Sequence, residues 1–307
     1  MHLDPFLDMK EQAKHKHAGG FTLVEVIMVL TITAILAAGV AVFLRKPIGG
    51  YLDLARRTEL SDIADTAVRR ISRDLHLALP NSVRVVPTDA SCLEFIPTLN
   101  GGRYRADVDG TGGGNVFSTS AALSQLDVLG PLSPLNPVPI LNDRVVVYNL
   151  GIAGADAYAG DNMAIVAAGT TTSLIIFNPA FQFPFASPGN RFHVISGSEQ
   201  SVFYVCVAAG GVPVGIDATG NGNGILYRLT RTLNAVAPTA CPAIPLGTPI
   251  LAQNLSTCQF IYANGVAGVT ERYGLVSMRL GITQKTQVAN DSDTVNIYHE
   301  VHVNNVP

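Results

Sequence analysis

Gly20-Phe21-Thr22-Leu23-Val24-Glu25 opens a stretch that runs apolar through Val26-Ile27-Met28-Val29-Leu30 to Phe43-Leu44 and is closed by Arg45-Lys46-Pro47. A run of this length reaches the roughly 20 residues that an α-helix needs to cross a hydrocarbon core about 30 Å thick. One carboxylate, Glu25, lies inside it. Placing such a charge in lipid costs on the order of 2.5–3.5 kcal/mol, so an ionisable residue there points to a function and to a partner. The segment itself offers no basic residue. A cut between Gly20 and Phe21 would create a free amino group four residues upstream of Glu25 on every copy of the chain.

Two plainer readings compete. A secretory signal has an apolar stretch of about 7–15 residues and a small-x-small cleavage site, and Gly39-Val40-Ala41 resembles such a site. The run here is longer, and a Glu near its start is foreign to a signal. A simple single-pass anchor fits the length but gives Glu25 no role.

Working outward, residues 1–20 are polar, carry Lys10, Lys14 and Lys16, and lack apolar periodicity, so they read as a leader. After Pro47 and Gly49-Gly50 a second helical pattern runs from Tyr51 to about Leu79, stopped by Pro80-Asn81. Leu60, Ile63, Ala67, Ile71, Leu75 and Ala78 recur at three- and four-residue spacings, one stripe of an amphipathic helix. Its other faces are charged, with Asp53/Arg57 and Asp65/Arg69 at the i, i+4 spacing that supports a helix. We expect that face to be solvated. The two helices would form one rod with a possible flexure at residues 47–50, where both helix breakers fall.

From Ser82 onward the pattern changes to short β-branched or aromatic runs bounded by Gly, Pro, Asn or Asp. Ser82–Val86, Cys92–Ile96, Arg144–Leu150, Leu174–Phe177, Arg191–Ile195, Val202–Val207, Ile225–Leu233, Cys258–Tyr262, Leu275–Ile282 and Val295–Val303 read as strands. Regular signals are sparse from Pro97 to Asp143, which reads as a long irregular excursion. The expected fold is α+β. A cleaved leader (1–20), a membrane or filament-core helix (21–46) and an amphipathic helix (47–80) precede a β-rich globular domain (81–307).

Composition bounds the function. Of the 307 residues 48% are hydrophobic and 14% charged, ample for a core, and the net charge of −3 lacks the clustered basic surface that nucleic-acid binding needs. Cys92, Cys206, Cys241 and Cys258 all follow the apolar run, and none has C-x-x-C spacing. An even count beyond a membrane segment favours disulfides in an oxidising compartment, with three connectivities open. A bridge among Cys206, Cys241 and Cys258 is expected, because these lie in or beside the later strands.

No catalytic constellation, metal site or cofactor is expected. His299-Glu300-Val301-His302 is one residue short of H-E-x-x-H, and in a strand its histidines would point to opposite faces. Asp107-Val108-Asp109-Gly110-Thr111-Gly112 partly matches a calcium loop, but its twelfth position is Ser118 instead of a bidentate Glu. A solvated turn explains Asp107 and Asp109 equally well.

The hexapeptide at Gly20–Glu25, the lysine-bearing leader before it and the long apolar helix after it resemble the cleavage and methylation motif of type IV pilins and of type II secretion pseudopilins. That resemblance implies a prepilin peptidase cutting between Gly20 and Phe21, N-methylation of Phe21, and Glu25 acting in subunit assembly. It also implies partners: major and minor pilins, an inner-membrane assembly platform and membrane lipid. The chain would be single-pass in the bacterial inner membrane with its C-terminal domain in the periplasm. Pro47-Ile48-Gly49-Gly50-Tyr51-Leu52-Asp53, Arg69–Leu75, Leu79–Arg84 and the ending His302–Pro307 are further similar to biogenesis proteins of the MSHA pilus of the MshO type, relatives of J-type minor pseudopilins. Two alternatives remain open at this point. One is a type II secretion pseudopilin; the other is a tip adhesin that binds a surface ligand through residues 97–143.

Overall fold

The computed structural model describes residues 20–86, 90–133, 136–208, 212–263, 273–286 and 291–307, so the leader residues before Gly20 lie outside it. The chain divides into two units, Met1–Leu54 and Ala55–Pro307. A single helix, α1 (Leu23–His76), begins in the first and ends in the second. The helix continues through residues 47–50, where the sequence suggested a possible flexure in one rod.

In the first unit the span Leu23–Phe43 has a mean hydropathy of 2.7, and none of it is buried within the chain. Thr31 and Thr33 each donate a hydroxyl proton to a carbonyl of their own helix, those of Met28 and Val29. The only hydroxyls in the run are thereby satisfied internally, as hydrocarbon surroundings demand.

In the second unit thirteen strands follow the helix: β1 (Arg84–Val85), β2 (Cys92–Phe95), β3 (Thr98–Arg103), β4 (Leu123–Asp127), β5 (Arg144–Val146), β6 (Met163–Ile165), β7 (Leu174–Phe181), β8 (Arg191–Ile195), β9 (Ser201–Ala208), β10 (Gly224–Arg231), β11 (Ile250–Ala263), β12 (Tyr273–Lys285) and β13 (Ser292–Asn304). Seven make an antiparallel sheet in the order β1-β2-β9-β10-β11-β12-β13. The stripe read from the sequence packs on one face of it. Ala67, Val68, Ile71 and Leu75 meet Leu93, Phe95, Tyr204, Leu226, Phe260, Met278 and Val301, while Leu60 and Ala64 meet Ile282. Burying such side chains stabilises by about 1.5–3 kcal/mol each for the larger ones, which fixes the helix to the sheet far more strongly than its intrinsic propensity could.

Two smaller sheets, β3-β8-β5-β6 and β4-β7, enclose a second core around Tyr104, Phe117, Val145, Phe177, Phe183 and Phe192. The Tyr104 and Phe117 rings stack with centroids 4.1 Å apart. Strands β3 and β4 fall within the stretch read as irregular. The sequence of β3 hides it, because Asn100-Gly101-Gly102 looks like a turn. Glycine leaves room there for a close approach: a Cβ on Gly102 would sit 3.0 Å from the Phe192 ring, and one on Gly101 would sit 3.0 Å from the Phe192 carbonyl oxygen.

The charged face of the helix is less solvated than its sequence suggests. Asp65 and Arg69 form the expected i, i+4 pair at 2.6 Å. Arg56 and Arg57, however, both reach Asp293 on β13, at 3.2 and 2.9 Å, and the Arg56 and Asp293 side chains are largely buried. Further along, Asp74 accepts from the Tyr204 hydroxyl at 2.7 Å and from Arg228 Nε at 3.0 Å. These polar clamps, near the two ends of the sheet-packed part of the helix, tie it to β13 and to β9 and β10.

Candidate functional site

The residues singled out from the sequence lie together at the head of α1. Thr22 immediately precedes the helix, and its hydroxyl oxygen accepts the Glu25 N–H at 3.2 Å while its carbonyl accepts the Val26 N–H at 3.2 Å. Thr22-Leu23-Val24-Glu25 therefore has the N-cap and N3 residues of a capping box. Glu25 also stands in the first turn, where the helix dipole favours a negative charge. Both effects are local, and both survive a cut upstream of Thr22. Gly20 and Phe21 are irregular in backbone; nothing lies within 4 Å of where a Gly20 Cβ would be, and Phe21 is 81% exposed. The helix that follows needs no residue before Thr22 to remain capped.

All four cysteines are paired, as Cys92–Cys241 and Cys206–Cys258. The second pair joins β9 to β11, and the first holds the irregular segment after β10 against β2. A disulfide was expected among the last three cysteines, and Cys206–Cys258 is one; Cys92 takes Cys241 across 149 positions.

The motifs that came close to chemistry resolve into local structure. The Asp109 carboxylate accepts from the Thr111 N–H and hydroxyl and from the Gly113 N–H, and these bonds pull its pKa down to about 2. All three bonds come from its own loop and reach the same oxygen, Oδ1. Asp217 is held in the same way by Thr219 and Asn221. On β13, His302 shares the outward face with Tyr298 and Glu300, and His299 the opposite face with Ile297 and Val301. Among the described residues no three His, Cys, Asp or Glu side chains gather as a metal ion would require.

Two buried titratable groups were not foreseen. Glu94 on β2 is 4% exposed, and burial pushes its pKa up to about 7 against the opposing pull of Arg84, Ser201 and Arg231. Burial and, to a lesser degree, Arg191 pull His193 on β8 down to about 4. The signs oppose. The stability that protonated Glu94 contributes is present below pH 4.5 and is lost as pH rises to about 7; that of neutral His193 is present above pH 6.5 and is lost as pH falls to about 4. Glu94→Gln should therefore leave stability at pH 4.5 nearly unchanged and raise it at pH 8 by about 3 kcal/mol, read from urea titration of the detergent-solubilised chain. Equal shifts at both pH values would refute this assignment.

The chain matches the family model described as the prokaryotic N-terminal methylation motif over residues 15–41. The matched segment contains Gly20, Phe21 and Glu25 and most of the exposed apolar span. No curated protein and no solved structure matches the chain. The motif supports a type IV pilin or pseudopilin, and the unburied apolar helix that bears it suggests single-pass membrane anchoring.

Proposed function

We propose that this chain is a minor subunit of a type IV pilus or a related pseudopilus, whose work is assembly and not catalysis. The observation that carries the reading is the placement of the motif: it heads a 21-residue apolar helix span, Leu23–Phe43, of which nothing is buried within the chain. Prepilin peptidase would cut that bond and Phe21 would be methylated. The span would rest in the inner membrane with the disulfide-bonded domain in the periplasm, and would then pass into the packed core of a filament. Glu25 would meet the new amino terminus of a neighbouring subunit, since no cation of its own segment is available. The narrower reading is a component of the initiating or tip complex of an MSHA-like pilus, resting on the segments around residues 47–53, 69–75, 79–84 and 302–307.

The test is crosslinking in intact cells followed by identification of what co-purifies with the chain. Major and minor pilins support the proposal, and MSHA components support its narrower form. Secretion-system pseudopilins would assign the chain to type II secretion instead. The adhesin reading, through residues 97–143, draws on the second core, whose buried side chains include Tyr104, Phe117, Leu126, Val128 and Leu132 from that stretch and give its loops a framework. A non-pilin surface ligand as the captured species would favour it.

A further inference from the structure

Side chains of a strand alternate between the two faces of its sheet, so with Val202 and Tyr204 packed towards α1, Ser201, Phe203 and Val205 of β9 face away from it. On that far face Arg84 of β1 stands opposite Glu94 of β2, Glu94 opposite Phe203, and Ser201 opposite Arg231 of β10. A pocket of about 410 Å³ lies there, with Glu94, Phe203 and Arg231 on the sheet side and residues 232–240 as its wall. The wall is fixed at both ends. It leaves β10 at Arg231, and Cys241 is bridged to Cys92, which precedes Glu94 by two residues on the same face.

The charges around the pocket do not balance. Arg84 is matched by Asp156 at 3.2 Å, and is further held by the Asn234 carbonyl at 3.2 Å and by the Tyr158 ring, whose centroid lies 3.4 Å from the guanidinium carbon. Arg231 is exposed and forms no ion pair among the described residues; its guanidinium carbon lies 5.9 Å from the centroid of the Phe203 ring. Glu94 is 4% exposed, and an ionised acid at that depth is unfavourable. As the neutral acid it brings an O–H donor to the pocket. We propose that this pocket binds a small hydroxylated carboxylate of monosaccharide size: Arg231 takes the carboxylate through paired N–H bonds, Glu94 donates its O–H to the same group, and Thr232 and Asn234 of the wall meet the hydroxyls. The volume lies in the range of small-molecule sites, and the planar guanidinium fork matches a carboxylate in geometry as well as charge. Because Glu94 titrates at about 7, the site holds its ligand while that group is protonated and releases it as pH rises. Ionised Glu94 repels the anion and Asp156 adds to the repulsion, whereas Arg84 and Arg231 oppose it. The other hydroxyls facing Glu94 are neutral: Ser201 also reaches the Arg231 carbonyl, and Tyr158 donates to the Ser82 carbonyl.

The test is calorimetric titration of the detergent-solubilised full chain with glucuronate, and with glucose, in which a hydroxymethyl group replaces the carboxylate. At pH 6 glucuronate should bind and glucose should not. Arg231→Met, at an exposed position, should weaken glucuronate binding by about tenfold or more, the effect of losing one charge-assisted pair. Between pH 6 and pH 8 the affinity of the native chain should fall about tenfold as Glu94 ionises, while Glu94→Gln, which keeps an N–H donor, should bind without that fall. Absence of glucuronate binding, equal binding of glucose, indifference to Arg231→Met, or a pH dependence that is reversed or persists in Glu94→Gln would each overturn the proposal. The pocket lies outside both the apolar span and residues 97–143, so none of these results bears on the assembly reading or the adhesin reading.

Discussion

Glu25→Leu should leave the chain inserted and cleaved while nearly abolishing its incorporation into filaments. Insertion becomes easier because a charge leaves the apolar segment, and the scissile Gly20–Phe21 bond lies outside the helix and is untouched. Incorporation should be lost if Glu25 pairs with a neighbour's amino terminus as proposed, because an amino group and a carboxylate in a low-dielectric bundle attract far more than in water, and although desolvation offsets much of that gain, such a pair would fix axial register. The capping geometry at Thr22 supplies a rival explanation, since a carboxylate at the third helical position also helps to start the helix. Glu25→Gln separates the two. Glutamine serves a capping box as glutamate does but carries no charge. Incorporation is measured as the fraction of the chain that co-purifies with sheared filaments, relative to the membrane pool. If both variants are excluded, charge pairing is responsible; if Glu25→Gln assembles normally, the cap accounts for the residue and the pairing idea fails.

The second large effect is expected from the Cys92–Cys241 bridge. It closes a loop of 149 positions, and the chain-entropy model assigns a closure of that size about 5 kcal/mol. Replacing both cysteines by alanine should therefore lower stability by about 4–5 kcal/mol, a large share of the 5–15 kcal/mol typical of a folded domain. The corresponding Cys206–Cys258 variant closes only 52 positions and should lose about 4 kcal/mol. Denaturant titration of the oxidised chain and the two double-alanine variants reads these differences. A loss below about 1 kcal/mol for the longer bridge would show that the segment after β10 is held by packing alone.

Much of the fold is legible because it depends on local pattern. The membrane-length run declares itself by composition, and the stripe Leu60–Ile63–Ala67–Ile71–Leu75 names the face that meets the sheet. Most strands of the large sheet appear as β-branched runs. Strand β3 escapes notice because its glycines answer to the ring and carbonyl of Phe192, some ninety residues away. The same distance in sequence conceals the clamps. Arg57 stands in good register with Asp53 along the helix, yet its guanidinium is held by Asp293, 236 positions later. Glu94 looks like an ordinary polar residue of an alternating strand, and only its position beneath Arg84, Ser201 and Arg231 reveals a buried acid. Disulfide pairing is hidden for a like reason, since connectivity follows from the sheet order and not from spacing. At the head of α1 the position is reversed. The processing motif and the Thr22–Glu25 cap are both written in consecutive residues, so the candidate site is more legible than the domain behind it.

The most direct test of the whole account is the intact mass of the chain extracted from the membrane of the cells that make it. The account predicts a single mature species that lacks residues 1–20, begins at Phe21, carries one added methyl group and retains both disulfides. A full-length chain beginning at Met1, or a mature terminus at Val42 after a signal-type cut behind Gly39-Val40-Ala41, would contradict it.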